Sequence, residues 1–429
     1  MISQYWEPEN GVPQRRWSWF SEILKSAGHE VVALVPPPHY ETKITVKSWL
    51  SQNFKRRKYS DCFPSEEGVV RTGFFPGGNG IARKALNQVI VALSQIATVA
   101  RVRRSSSFKP NLIVGTVPAL PTAFVTRVAS LVLGVPYIID LRDAWPELLE
   151  ESRRWNESVG HISLHQRILN KGPLQFAKWV VKGVLKRSLA QATAVTVTSE
   201  DHRERLEKEL MSWSRDKAHT VVSIRNVFPV NSSQNRHLLK ESQGEKHTFN
   251  VLYAGTLGRA QDLENALVAG KLAEDRGVPI SFRFVGAGAA KAQLRKTAKQ
   301  LGLDAEFQSR GPSDSLGEHY EWADTALVHL SDWPALALSV PSKTYELMDL
   351  GIHITGVVSG EAARIITENG AGHVVAPGDP ESLANLWSLL ASSRTMLTPD
   401  SDAREWVLQE RNQNSPKKLL QTLEIAGGA

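Results

Sequence analysis

The residues best suited to binding a phosphate lie at 255–259 and at 341–346. The first stretch follows an apolar run and carries Gly255, Gly258 and Arg259. Two glycines let the backbone approach an anion closely, and an arginine can pair with a phosphate through two parallel hydrogen bonds. A strand that ends in a glycine-bearing loop at the start of a helix is how α/β folds present backbone N–H groups to phosphate. We therefore predict that these three residues contact a phosphate; the alternative is a tight turn with an arginine that faces solvent.

The second stretch begins with Pro341 and Ser342, which suit the first turn of a helix. The N–H groups of that turn have no partner within the helix, so they can bind an anion. Lys343 lies beside them, and Glu346 follows three residues later on the same helix face. We predict that Lys343 neutralises a diphosphate and that Glu346 binds ribose hydroxyls; the alternative is an ion pair on the surface.

A further glycine pair, Gly286 and Gly288, follows another apolar run. Lys291 stands where a third glycine would complete a dinucleotide-binding fingerprint, and no acidic residue ends the next predicted strand. We interpret this loop as a wall near the base or ribose of a nucleotide, and not as a site for an NAD cofactor.

Residues 140–146, in the first half of the chain, bring together two carboxylates and an arginine at the end of a predicted strand. Asp143 can accept a proton from an attacking hydroxyl, and Arg142 can hold negative charge. The alternative is a loop whose hydrogen bonds only fix its structure.

Strand and helix patterns alternate along both halves of the chain, which predicts parallel sheets covered by helices. We predict an α/β fold of two Rossmann-like, doubly wound domains that face each other across a cleft. They span residues 1–228 and 249–400, joined by a polar linker, and a last helix at about 402–425 returns to the first domain. Residues 36–80 are predicted to be irregular, either as an acceptor-binding loop or as an insertion without a role.

The composition is that of an ordinary globular protein, with 41% hydrophobic and 22% charged residues among 429. The single cysteine, Cys62, excludes an internal disulfide, and none of the 12 histidines forms a pair with metal-binding spacing. We therefore predict no metal. No run of about 18 apolar residues and no export signal is found, which predicts a cytoplasmic protein without a membrane span.

The net charge is +7, and basic residues concentrate at 55–58, 101–104 and 153–154. They form either a solvated face or a contact with anionic lipid headgroups. Nucleic acid is the weakest alternative, because no helix-turn-helix, zinc or RNA-recognition signature is found. Residues 176–187 mix aromatic, apolar and cationic side chains, which suits either the bilayer interface or packing on the first domain.

Eight short motifs stand out along the chain, at residues 4–9, 13–17, 36–40, 142–147, 196–199, 253–255, 258–261 and 341–346. Together they resemble the retaining glycosyltransferases of family 4, which have the GT-B fold. The resemblance runs nearly end to end and is strongest to the bacterial branch that builds O-antigen and capsule, which includes N-acetylfucosamine transferase-like proteins.

The resemblance implies a nucleotide-diphosphate sugar donor, UDP-linked, on the second domain. It implies a glycan or a polyprenyl-diphosphate-linked sugar as acceptor on the first domain, at the inner face of the membrane. No cofactor is implied, because cationic side chains and a helix N-terminus stabilise the leaving diphosphate in such enzymes. Arg259 and Lys343 take that role here, Glu346 binds the ribose, and Gly11 lets a first-domain loop approach the donor. The implied acceptor contacts are Arg15, Arg16, His39 and Tyr40.

The chain departs from the wider family pattern at the donor site. The family has two glutamates eight positions apart, but counting back from Glu346 gives Leu338. Thr256 and Gln261 stand where the family places an arginine and a lysine. Two alternatives therefore stay open, a GT-B sugar-nucleotide 2-epimerase and a non-catalytic sugar- or nucleotide-binding protein of the same fold.

Overall fold

The computed structural model describes residues 1–9, 11–39, 44–54, 68–76, 81–104, 109–151, 173–213, 219–229, 248–309 and 316–428, and the structural statements below concern these residues. The chain forms two compact units. Unit 1 consists of the described parts of Met1–Leu149, Ile162–Phe228 and Asn414–Ala429, and unit 2 of the described parts of Glu150–His161 and Pro229–Gln413.

Unit 1 is built on parallel strands. They are β1 (Ala33–Val35), β2 (Val69–Arg71), β3 (Ile113–Val117), β4 (Tyr137–Leu141), β5 (Ala194–Val197) and β6 (Thr220–Ser223). β1 pairs with β2, and β3 to β6 pair in chain order. Ile2 joins the two groups, because it forms parallel bridges to Leu34 and to Gly115. The N-terminal segment therefore lies in the middle, and the direction of winding changes beside it.

The helices of unit 1 connect these strands. They are α1 (Val12–Ser26), α2 (Val46–Phe54), α3 (Ile81–Arg104), α4 (Pro121–Leu133), α5 (Glu147–Glu150), α6 (Pro173–Gln191) and α7 (Glu200–Trp213). The prediction that 36–80 is irregular is wrong for two parts of it, because α2 and β2 lie there. β2 has only three residues and depends on its pairing with β1, which local sequence does not reveal.

Unit 2 contains one six-stranded parallel sheet. Its strands are β7 (Phe249–Ala254), β8 (Ile280–Val285), β9 (Asp304–Gln308), β10 (Thr325–His329), β11 (Ile354–Val357) and β12 (Gly372–Val375). The order is β12-β11-β10-β7-β8-β9, so the winding reverses between β7 and β10. In such sheets ligands bind outside the carboxyl ends of the strands at that reversal.

Helices cover both faces of this sheet. They are α8 (Leu263–Asp275), α9 (Lys291–Leu301), α10 (Gly317–Trp322), α11 (Pro334–Ala337), α12 (Ser342–Leu350), α13 (Gly360–Glu368), α14 (Pro380–Ser392) and α15 (Ser401–Gln409). The core contains an aromatic cluster, in which the Phe282 ring lies 5.6 Å from Trp387 and 5.8 Å from Phe284. The prediction of two doubly wound α/β units with parallel sheets is confirmed.

The end of the chain is divided between the units. A π-helical turn, Glu410–Asn414, separates α15 from a last helix, α16 (Ser415–Gly427). α15 belongs to unit 2, whereas α16 belongs to unit 1 and packs against α1, β5 and β6. The single helix predicted at 402–425 is therefore three helical segments.

Candidate active site

The loops that follow β7 and β8 contact each other through their backbones. The Leu257 N–H donates to the Ala287 carbonyl over 3.0 Å. A Cβ atom on Gly286 would lie 1.9 Å from the Gly255 oxygen, and one on Gly288 would lie 2.0 Å from the Leu257 oxygen. Close packing of the two loops therefore requires glycine at both positions, and their place near the base or ribose of a nucleotide stays a prediction.

The turn of 3₁₀ helix at Arg259–Gln261 is fastened to the end of β10. Ser331 donates from its N–H to the Ala260 carbonyl (2.8 Å) and from its hydroxyl to the Arg259 carbonyl (2.9 Å). Asp262 follows with a φ of 40° and is the only described residue other than glycine with a positive φ. Such strained positions cluster at functional sites. The turn that carries the partly buried Arg259 is thus held at the reversal point of the sheet.

Lys343 and Glu346 form a compact cluster with Tyr320, a residue of α10. The Lys343 Nζ and the Tyr320 hydroxyl both lie 2.9 Å from Glu346 Oε1, and they lie 3.1 Å from each other. The Glu346 side chain is 10% exposed and that of Lys343 is 25% exposed. The ion pair that the sequence offered as the alternative is therefore present, although it is mostly buried and not on the surface, and the roles of Lys343 and Glu346 toward a nucleotide stay a prediction. Sequence spacing gave no signal for Tyr320, because it lies 26 residues away.

The helix that carries this cluster is firmly anchored in unit 2. Pro341 precedes the first helical residue, Ser342, and the Thr344 N–H bonds the Pro341 carbonyl over 3.0 Å. Asp349, near the end of α12, accepts a hydrogen bond from Arg411 (2.7 Å) in the π-helical turn. Residues 344–349 are all buried. The first N–H groups of α12 are therefore presented by a fixed helix at the carboxyl side of the sheet.

In unit 1, Asp140 is the centre of a buried hydrogen-bond network at the end of β4. Its two oxygens accept from Arg16 (2.9 Å), Trp17 (2.9 Å), Thr116 (3.1 Å) and Thr196 (2.8 Å). Burial opposes ionisation, but the charge of Arg16 and these hydrogen bonds outweigh it and hold the pKa of the Asp140 carboxyl below its usual value. Asp140 is therefore a fixed anion that ties α1 to the sheet.

Arg16 is the cation of that network and is fully buried. Beyond Asp140, its NH1 group donates to the Ile224 carbonyl and to Asn226 Oδ1, both over 2.9 Å. The resemblance implied that Arg16 contacts the acceptor, but the structure gives it a structural place instead. A side chain without solvent exposure and with this many partners is not presented to a substrate.

Arg142 and Asp143 follow directly after β4. Arg142 is 9% exposed, and its Nε and NH1 atoms have no hydrogen-bond partner among the described residues. Burial lowers the pKa of Arg142 to about 10, although Asp143 and Asp140 favour its charge. Asp143 lies at the surface of the loop and is exposed as a residue. Burial of its carboxyl raises the pKa above the usual value, against the opposing effects of Arg142 and Trp145. The pair therefore places a carboxyl with a raised pKa beside an arginine.

Glu147, the first residue of α5, is a second carboxyl with a shifted pKa. The sequence alone assigns it no role. Its side chain is 15% exposed, and Arg205 Nε lies 3.8 Å from Oε1. Burial raises the pKa of Glu147 to about 7, the neighbouring Glu209 raises it further, and Arg205 opposes both. The only available signal was its place in the 142–147 motif.

The remaining acceptor-site predictions fall around α1. Arg15 is partly buried, with its guanidinium 4.5 Å from the centre of the Phe228 ring. The His39 Nδ1 atom lies 2.9 Å from the Pro37 carbonyl. Burial lowers the pKa of His39 despite that contact and the charge of Glu9. Gly11 precedes α1 in an extended conformation. Tyr40 lies outside the described residues, as do the basic stretches 55–58 and 153–154 and Cys62.

Histidines in unit 2 are held in packed positions. His329 is buried at the end of β10 with its Nε2 3.1 Å from Asn265 Nδ2, and burial lowers its pKa to about 3. His353 Nε2 lies 2.9 Å from His373 Nδ1. No group of three or more histidine, cysteine, aspartate or glutamate side chains in the described ranges is arranged to hold a metal ion.

Two family models match the chain and together span most of it. Residues 11–222 match the Glycosyl transferase 4-like domain, and residues 235–404 match Glycosyl transferases group 1. A curated relative from Escherichia coli (strain K12), named as the colanic acid biosynthesis glycosyl transferase WcaI, is 24% identical over 95% of this chain and 94% of its own.

Solved structures of the same fold span nearly the whole chain. A sucrose-phosphate synthase from Thermosynechococcus elongatus has a TM-score of 0.65 at 15% identity and covers 98% of this chain and 96% of its own. Anabaena HepE, solved in complex with UDP, has a TM-score of 0.56 at 15% identity and covers 99% and 98%. The matched domains and this fold agree with each other, and the chain belongs to the family 4 glycosyltransferases with the GT-B fold.

Proposed function

We propose that this glycosyltransferase transfers a sugar from a UDP-sugar to a glycan or polyprenyl-diphosphate-linked sugar acceptor during synthesis of a cell-surface polysaccharide. The observation that carries the proposal is the cluster of Lys343, Glu346 and Tyr320 at the start of α12. The complex of HepE with UDP supports the choice of nucleotide, and the name of the colanic acid relative supports the class of acceptor. Retention of the anomeric configuration rests on family membership.

The donor would be held by unit 2. The diphosphate lies at the N-terminus of α12, where backbone N–H groups and the helix dipole favour negative charge. Lys343 exchanges part of its contact with Glu346 for a phosphate oxygen, since its side chain is 25% exposed. Glu346 then accepts hydrogen bonds from the ribose hydroxyls. Arg259 adds a second cation that stabilises the leaving diphosphate.

The acceptor hydroxyl would be activated in unit 1. Asp143 takes the proton as the acceptor oxygen bonds to the anomeric carbon and the bond from that carbon to the diphosphate breaks, which releases UDP. Arg142 can stabilise the negative charge that develops during this step, because two of its buried nitrogen atoms have no hydrogen-bond partner among the described residues. Arg15 and His39 remain the candidates for positioning the acceptor.

Thermal shift tests the donor half of this proposal. UDP and UDP-sugars are expected to raise the melting temperature, because a ligand at 100 times its dissociation constant stabilises the folded state by about 2.7 kcal/mol. Lys343→Ala and Glu346→Ala should each weaken UDP binding at least tenfold. Lys296→Ala, an exposed lysine on α9, is the matched control and should bind as wild type does. Wild-type UDP affinity in both site variants would contradict the donor site.

A transfer assay tests the reaction itself. Radiolabelled UDP-sugars are incubated with lipid-linked acceptors, and the product is checked for a new glycosidic bond. Transfer with release of UDP supports the proposal. Conversion of the UDP-sugar to its epimer without transfer would show the 2-epimerase instead, and tight UDP binding without either reaction would show a non-catalytic binding protein.

A further inference from the structure

Helices α3, α4 and α6 lie side by side in unit 1. α4 packs against both of the others. They follow β2, β3 and β4 in turn, and right-handed crossovers in that direction place them on one face of the sheet. Their inner sides share one hydrophobic core cluster, to which Val99 of α3, Val125 of α4 and Leu185 of α6 belong. The three helices thus form a single layer with one buried and one outer surface.

The outer side of α3 carries a stripe of large apolar side chains. Leu86 is 47% exposed, Val89 49% and Leu93 61%. Spacings of three and four residues put these side chains on one side of a helix. The stripe lies opposite the face that holds Val99 and other core residues, so packing within the described part of unit 1 does not account for it.

The two neighbouring helices extend this apolar surface. Leu131 of α4 is 68% exposed, and Trp179 of α6 is 72% exposed. Phe124, Val180 and Val184 on the same two helices are exposed as well, so the three helices hold eight of the fourteen exposed large hydrophobic side chains in the described part of the chain. Single exposed apolar residues are ordinary, whereas a group on adjacent elements marks an interaction surface.

The charge of this layer has one sign. The three helices contain ten lysines and arginines and no aspartate or glutamate. The whole chain, by contrast, has 44 acidic residues against 51 basic ones. A surface that combines apolar side chains with cations alone is complementary to an anionic surface that also has an apolar interior.

α3 packs against the rest of unit 1 and does not extend away from it. Within Arg83–Arg104, an 18-residue window is long and apolar enough to cross a bilayer, with a mean hydropathy of 1.3, and 28% of that window is buried. This corrects the expectation that no segment has that property. However, the buried Gln95 Nε2 donates to the Ser3 carbonyl (2.7 Å) and the Leu34 carbonyl (3.2 Å), which ties the middle of α3 to the N-terminal segment and β1. The helix is thus placed to lie along a membrane surface.

We propose that the outer surface of α3, α4 and α6 docks unit 1 on an anionic lipid bilayer. The leucine, valine and tryptophan side chains enter the headgroup region, and the lysines and arginines contact anionic headgroups. Nucleic acid would use the cations but offers no partner for the Leu86–Val89–Leu93 stripe. A second copy docked face to face would bring two sets of ten positive charges together. The proposal is independent of the donor chemistry.

Flotation with lipid vesicles tests the docking surface. Wild type should bind vesicles of phosphatidylglycerol and phosphatidylethanolamine, and much less those of phosphatidylcholine alone. The triple variant Leu86→Ser, Val89→Ser, Leu93→Ser should bind at least tenfold more weakly. The matched control is Val268→Ser with Leu389→Ser, two exposed apolar residues of unit 2, and it should bind as wild type does. An unchanged melting temperature for both variants shows that each is folded.

A fluorescent probe gives a second, local measurement. An environment-sensitive dye is attached at Leu93→Cys, or at Leu389→Cys as control, in a Cys62→Ser background. Only the dye at position 93 should shift to the blue with anionic vesicles. Failure to bind anionic vesicles, equal binding of the triple variant, or no shift at position 93 would overturn the proposal. So would concentration-dependent self-association that the triple variant abolishes, or displacement of the protein from vesicles by nucleic acid.

Discussion

Two aspartates only three residues apart have opposite surroundings. Asp140 is buried and accepts hydrogen bonds from four side chains, one of them the charged Arg16. Asp143 is exposed as a residue, and burial of its carboxyl raises the pKa of that group. A carboxylate surrounded by donors is stabilised as an anion and is a poor base, whereas one with a raised pKa holds a proton more readily. Of the two, only Asp143 has the accessibility and basicity that proton transfer needs.

We expect sugar transfer to depend on the ionisation of Asp143. The base must be deprotonated, so kcat/KM should fall as the pH decreases through a pKa above the ordinary aspartate value of 3.8. Asp143→Asn should lower kcat about 100-fold or more and abolish this acidic limb without lowering the melting temperature.

The control for this prediction is Asp140→Asn. It should lose stability, by about 3–5 kcal/mol, because Arg16 is left as an uncompensated buried charge. Urea unfolding measures the difference. Full turnover in Asp143→Asn would remove Asp143 as the base, and equal loss of stability in both variants would contradict the distinction between them.

Ionisation of Glu147 makes the free energy of unfolding depend on pH. Its pKa in the folded protein is raised from 4.5 to about 7, so folding opposes its ionisation. The resulting destabilisation is absent below the unfolded pKa and grows as the pH rises from about 5 to about 7. Glu147→Gln should therefore be as stable as wild type near pH 4 and more stable at pH 8, by up to about 3 kcal/mol. Denaturant unfolding at the two pH values measures this, and a gain that is the same at both would contradict the raised pKa.

The loops after β7 and β8 pack against each other so closely that they should move together. Backbone atoms of the loop after β7 occupy the space where side chains at Gly286 and Gly288 would stand, which is why neither glycine tolerates a Cβ atom. Lys291 Nζ adds hydrogen bonds to the Gly286 carbonyl (3.1 Å) and the Gln308 carbonyl (2.7 Å). These loops hold the position of the turn at Arg259.

Gly286→Ala is therefore expected to damage both stability and donor binding. The new methyl group meets the Gly255 oxygen, which belongs to the backbone and cannot rotate away, so the loss should be about 1–3 kcal/mol. Gly317→Ala is the matched control, because a Cβ there meets no atom within 4 Å and alanine favours the helix. Urea unfolding and UDP titration measure the two effects. A Gly286 variant as stable as the Gly317 variant would show that the loops separate easily.

Most elements were predictable because apolar periodicity reports which face of a helix or strand is buried. The helix Pro121–Leu133 shows both boundary signals in its sequence, because it begins at a proline and ends before Gly134. The Lys343–Glu346 pair was predictable from helical spacing. Tyr320 in the same cluster and the burial of Arg16 against Asp140 were not, since both depend on contacts between distant segments of the chain.

At the scale of the molecule, each unit has its own core, and the end of the chain connects them. α16 follows the last residue of unit 2 but completes unit 1, where Ala426 joins Ile138 and Ala194 in a small core cluster. Lys418 of α16 also lies 3.3 Å from Glu200 of α7. The stability of unit 1 therefore depends on residues that are synthesised after the whole of unit 2.

We expect the thermal transitions of the two units to respond to different changes, one to a substitution in α16 and the other to UDP. Leu419 of α16 is 3% exposed, so Leu419→Ala should destabilise unit 1 by about 2–4 kcal/mol. UDP should instead stabilise unit 2, where we place the donor. Differential scanning calorimetry should then show one transition lowered by the substitution and another raised by UDP. If UDP raised the transition that Leu419→Ala lowers and left the rest of the profile unchanged, the nucleotide would bind unit 1, and the assignment of the donor to α12 would be wrong.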